Sequence, residues 1–213
     1  MKTYFLLMLL LLGAPLLALD DAAIREAYHN SYAYERVENY DDAIRSMLPV
    51  LRDYPETYTV NLRLGWLYYL NKKYANALEH YEKAIKIAPA SIEAKLGHLL
   101  PLLAQARYAE VEREAFQILN VDFYNYYGNM RLIYALRMLH KYEAAEKVVL
   151  KMLAIYPIDV IFLTEYALIR HGQGDTDTAV KVFYDVQILD PENPTAKDFL
   201  KPQKPPLMPN GRP

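Results

Sequence analysis

Residues 64–89 read LGWLYYLNKKYANALEHYEKAIKIAP: two apolar runs joined by the polar step Asn71-Lys72-Lys73 and closed by Pro89. Both runs have the spacing of an amphipathic helix face, so the stretch predicts two helices and a tight turn. Gly65 and Ala77 remove side-chain bulk where two antiparallel helices must cross. Tyr74, at the mouth of the turn, reaches toward whatever packs next. Pro89 ends the second helix, because proline lacks an amide donor and restricts the residue before it.

The same grammar returns along the chain. Small or apolar residues Ala43, Ala77, Val111, Ala145 and Ala179 are each 34 residues apart. The ring three places earlier gives Tyr40, Tyr74, Tyr108 and Tyr142, with Thr176 last, and the position seven places later gives Val50, Ala84, Ile118, Met152 and Val186. Closing prolines stand at Pro55, Pro89, Pro157 and Pro191, with Phe123 where a fifth would fall. Four columns keep one period without an insertion.

A helix–turn–helix period of 34 residues resembles the tetratricopeptide repeat family. The resemblance covers 24–191, and the second repeat carries it most fully: Leu64, Gly65 and Tyr68, then Ala77 and Tyr81, then Pro89. Asn61 departs from it, standing where the family prefers tryptophan. The implied fold is all-α: an α-α superhelix of five repeats, about 24–57, 58–91, 92–125, 126–159 and 160–193, then a short capping helix within an array spanning 20–200. Asn193 followed by Pro194 is a good start for that cap. No repeat buries its apolar face alone, so stability accumulates by stacking.

Departures along the array carry their own expectations. The Gly65 column holds Ser31, Leu99, Ile133 and Ala167 elsewhere, so repeats three and four are expected to pack further apart. Ala115, standing where repeat two has Tyr81, offsets part of that bulk. Pro101 inside a first helix predicts a kink.

Both ends differ in kind. MKTYFLLMLLLLGAPLLALDD (1–21) has Lys2, an apolar run over 4–19, the small residue Ala18, then Asp20 and Asp21. Sixteen apolar positions fall short of the roughly 20 that span a bilayer core. This is the pattern of a secretory signal peptide over 1–19, with an uncleaved membrane anchor as the alternative. With no cysteine and no Asn-x-Ser/Thr acceptor, an exported chain fits the bacterial periplasm or a secreted location. Residues 201–213 are proline-rich and aperiodic, a tail expected to lack fixed structure.

Composition narrows the function. Twenty-four Lys and Arg against 26 Asp and Glu leave no basic excess for nucleic acid. Five scattered histidines form no His-Glu-x-x-His, and Glu79-His80 with Glu82 is expected on a solvated helix surface. No catalytic constellation, cofactor motif or metal set is found, so no enzyme is expected. The resemblance implies that the first helices line a concave binding surface. The candidates there are Tyr28 and Tyr32; Leu62, Arg63, Trp66 and Tyr69; Leu96 and Leu100; and Tyr127, Met130, Arg131 and Tyr134. This aromatic and aliphatic stripe lacks the Asn- and Lys-rich set of carboxylate-gripping relatives. The expected ligand is an apolar protein or peptide segment, with another copy of the chain as the alternative.

Overall fold

Five residues with left-handed backbone mark the hairpin turns: Glu38, Lys72, Ala106, His140 and Gly174. Each follows a first helix and closes it in one way. Lys73 N–H, for example, reaches back to the Tyr68 carbonyl (2.9 Å), while Lys72 N–H bonds to Tyr69 O (2.9 Å). This paired closure satisfies carbonyls that the helix end would leave bare. Only the fifth turn uses glycine, the residue that adopts this backbone at least cost.

The computed structural model describes residues 19–201. Its helices are α1 (Asp21–Arg36), α2 (Tyr40–Asp53), α3 (Tyr58–Leu70), α4 (Tyr74–Ile87), α5 (Ile92–Ala104), α6 (Tyr108–Leu119), α7 (Tyr126–Met138), α8 (Tyr142–Leu153), α9 (Val160–Gly172), α10 (Thr176–Leu189) and α11 (Pro194–Leu200). Ten of them form five antiparallel pairs, and α11 covers the last pair. Successive helices pack on one another, and α3 also touches α5, α5 touches α7, and α7 touches α9. First helices therefore make a continuous inner layer. The signal-peptide assignment over 1–19 and the tail over 201–213 lie, but for Leu19 and Lys201, outside the described residues.

Packing between the two helices of a pair trades bulk across one interface. Gly65 faces Tyr81, and a Cβ on Gly65 would lie 2.9 Å from that ring. In the same two columns stand Ser31 with Met47, Leu99 with Ala115, Ile133 with Val149, and Ala167 with Phe183. These eight residues are all fully buried, and Tyr81 is 2% exposed. A large residue on one side is matched by a small one on the other, so Leu99 and Ile133 are accommodated by Ala115 and Val149.

Other expectations need correction. His80 is not solvated: it is 5% exposed, stacked on Tyr68 at 5.3 Å, with Nδ1 3.0 Å from Asn61 Oδ1. Asn61 spends its amide on the carbonyls of Pro55 and Thr57 (2.8 and 2.9 Å), so His80 Nδ1–H must be the donor. Asn129 repeats the clamp on Phe123 and Asn125 (3.0 and 2.8 Å). Asparagine in this column ties the loop before a first helix to that helix, which the family's tryptophan could not do. Tyr40, Tyr74, Tyr108 and Tyr142 are half-buried at the turn level, and Tyr108 and Tyr142 pack against the core. Tyr142 also lies across Gly172 of the next repeat. Helix α5 runs through Pro101 to Ala104 without interruption.

Candidate partner-binding groove

Each first helix presents the same turns inward, because the period of 34 residues keeps its columns in phase. One column holds Tyr32, Trp66, Leu100 and Tyr134; the column four places earlier holds Tyr28, Leu62, Leu96 and Met130. Three open cavities follow these columns. The first, about 700 Å³, lies over Tyr28, Tyr32, Leu62, Arg63 and Trp66, with Glu35, Arg36, Thr59 and Glu93 around them. The second, about 440 Å³, shares Leu62, Trp66 and Glu93 with it and continues over Leu96, Gly97, Leu100 and Arg131. The third, about 410 Å³, takes up Leu100 and Arg131 and adds Tyr69, Leu103, Met130, Tyr134, Ile161 and Glu165. Shared walls make one groove from α1 to α9.

Eleven of the twelve residues singled out in the sequence line these cavities. Tyr127 does not. It stands edge-on to Tyr126 (5.3 Å between ring centres) and 55% exposed, outside the cavity walls. Arg63 is also less available than its place in the stripe implied. It is 7% exposed, donates Nε–H to Ser31 Oγ (3.0 Å), pairs with Glu35 and lies 3.8 Å from the centre of the Tyr32 ring. Its charge supports the floor, since a buried ion must stay paired.

The groove's polar groups are mostly occupied with the protein itself. Trp66 Nε1–H donates to Glu35 Oε1 (2.7 Å), which fixes the indole while leaving its face toward the cavities. Arg131 donates to the Leu96 carbonyl, and burial pulls its basicity below the usual guanidinium value. Arg137 grips Glu165 through two bonds (2.6 and 3.1 Å). The carboxylates Glu93 and Glu165 are groove residues the apolar stripe did not reveal; Glu93 occupies the column of Thr59 and Tyr127, which has no common chemistry. Among the described residues, no group of three or more His, Asp or Glu is placed to hold a metal ion, and no helix is long and apolar enough to cross a membrane.

Residues 28–92 match the family model described as "Tetratricopeptide repeat". Over those residues the chain carries the tetratricopeptide repeat. No curated protein matches it in sequence, but solved structures share its fold. MamA (41 to its end) from Desulfovibrio magneticus RS-1 superposes with a TM-score of 0.73 at 16% identity, over 83% of this chain and 99% of that one. A further MamA crystal structure gives 0.69 at 17% identity, over 88% and 100%. A tetratricopeptide repeat protein from Parabacteroides merdae ATCC 43184 gives 0.63 at 18% identity, over 84% and 70%. A tetratricopeptide array is a protein-interaction scaffold: stacked repeats generate extended surfaces suited to holding another protein.

Proposed function

We propose that this tetratricopeptide protein is an exported, non-enzymatic scaffold whose groove holds an apolar segment of a partner protein, extended or helical, during assembly or secretion in the bacterial envelope. The observation that carries the reading is the continuity of the three cavities across five first helices. Aromatic and aliphatic side chains supply the contact area, and Trp66 is a pre-oriented anchor of the kind that dominates binding energies. Internal pairing of Arg63, Glu35, Arg137 and Glu165 leaves few free charges for a carboxylate or phosphate ligand. Lys2, the apolar run over 4–19 and Ala18 support export. Affinity capture from periplasmic extract, comparing the protein with a folded Trp66→Ala variant, tests both parts. A partner held by the first and lost by the second is expected; equal capture by both would remove the groove from the reading.

A second reading, self-association, draws on a different surface. The loops after α6 and α8 and the start of α7 expose Val121, Phe123, Tyr124, Tyr127, Ile155 and Ile158. Repeats one and two carry Asp53 and Glu56 or Ile87 and Ala90 at matching places. An apolar edge centred on repeats three and four, and extended by exposed Ile87 and Leu189 in the column of Val121 and Ile155, suits a second copy. Sedimentation at micromolar concentration separates the readings, because a strict monomer would leave the groove alone.

A further inference from the structure

The described chain begins with a residue that is already locked in place. Leu19 packs its side chain on the apolar cluster of the first two repeats, beside Ala23, Ala27 and Pro49. Its amide donates to Asp53 Oδ2 (2.9 Å), and its carbonyl accepts from the Tyr54 hydroxyl (3.0 Å). Both partners lie at the end of α2, one full repeat further on. Asp53 is well shielded, with its side chain 8% exposed, and its carboxylate is also held by Arg52 Nε at 2.7 Å. Leu19 thus occupies, at the open end of the array, the place that the close of a preceding repeat would fill.

The bond before Leu19, one residue inside the 1–19 signal-peptide bound, is also where the small residue Ala18 puts processing. We infer that Leu19 becomes the amino terminus of the exported protein and that Asp53 and Tyr54 form a built seat for that terminus. Hydrolysis of the Ala18–Leu19 bond by a signal peptidase consumes one water and leaves a carboxylate on Ala18 and an α-ammonium on Leu19. The nitrogen that donates one neutral bond before cleavage then carries a positive charge beside an anionic oxygen, and a charge-assisted bond of this kind is about twice as strong as a neutral one. Glu26 on α1 borders the same hollow and Asp20 follows directly, so the surroundings favour a cation, with Arg52 as the one competitor. Processing would in this way tighten the first repeat, against which no described repeat stacks on that side.

This inference rests on the export reading, and the two fail differently. The full chain is produced in a secreting bacterial host, recovered from the envelope and sequenced from its amino terminus. A start at Leu19-Asp20-Asp21 is expected. An exported protein starting at any other residue overturns the seat alone; cytoplasmic protein with Met1 intact ends both readings. The charge is then read by acylating the α-amino group near pH 7, where only the unprotonated amine reacts. Asp53→Asn should label several-fold faster than the natural sequence, because the ammonium loses its partner. Arg52→Ala, at a largely exposed side chain that competes for the same carboxylate, should label at the natural rate or more slowly. Equal rates for Asp53→Asn and the natural protein, or acceleration in Arg52→Ala, would overturn the ion pair.

Discussion

Adding one methyl group at Gly97 tests how tightly the second and third repeats are joined. Tyr81 of α4 passes between two first helices, with Gly65 on one side and Gly97 on the other. A Cβ on Gly97 would lie 2.2 Å from Tyr81 Cε1, 2.6 Å from Cζ and 2.8 Å from Cδ1. Ordinary carbon contacts are about 3.5–4.0 Å, so the ring must retreat by more than about 1 Å. It has nowhere to go, since a Cβ on Gly65 would already stand 2.9 Å from the same ring. Alanine otherwise favours a helix over glycine by about 0.8–1.0 kcal/mol, whereas overpacking costs about 1–3 kcal/mol and occasionally more. Gly97→Ala should therefore destabilise by about 1–2 kcal/mol in urea unfolding. In a Tyr81→Ala background the clash is gone, and the same change should be neutral or stabilising by about 1 kcal/mol, a coupling of roughly 1–3 kcal/mol. Because Tyr81 and Gly97 also line the middle cavity, partner capture should fall with the single change. Equal destabilisation in both backgrounds would refute the packing argument.

Three further outcomes are expected. Burial holds His80 down at about 4, against an ordinary value of 6.5. The unfolded chain then binds more protons between those values, so stability is full above about pH 6.5 and falls as pH drops toward 4, by up to roughly 3 kcal/mol; thermal melting of His80→Gln should show a flatter profile over that window. Ala77→Leu, at a fully buried site, should cost about 1–3 kcal/mol by overpacking, whereas exposed Glu79→Ala should stay within about 0.5 kcal/mol; equal melting shifts would contradict the register. Trp66→Ala should weaken partner capture by about 2 kcal/mol or more with a smaller loss of stability than Tyr74→Ala, and modest salt dependence, because the charges at the groove are largely paired internally.

Much of this was legible because the period is strict. Once Gly65 and Ala77 fix the phase, every first helix inherits the same inward columns, and Tyr32, Trp66, Leu100 and Tyr134 follow by counting. Partnerships across different columns were not legible. His80 sits between Glu79 and Glu82 and looks solvated; only the fold brings Asn61 from the preceding helix to its ring nitrogen. Arg63 looks like a contact residue, but a serine and a glutamate from α1 draw it beneath the floor. Such pairs are particular to one junction, so repetition cannot announce them. Tyr127 failed for another reason: Thr59 and Glu93 in its column do line cavities, but its own ring stands edge-on to Tyr126, outside the walls.

The trading of bulk between facing columns bears on how such a chain avoids folding out of order. Five hairpins of equal length could in principle dock a first helix against the wrong second helix, one repeat out of step, and repeat proteins are prone to this misassembly. Here the partners are not interchangeable. Tyr81 brought against Leu99 would meet a side chain where it needs a bare backbone, and Ala115 brought against Gly65 would leave a hole. A slipped array would accumulate such faults at successive junctions. The same pairing also restricts how the chain could be lengthened: a copied second repeat would need both of its flanking neighbours altered before it could be seated. Order along the array is thus written into the sizes of facing side chains.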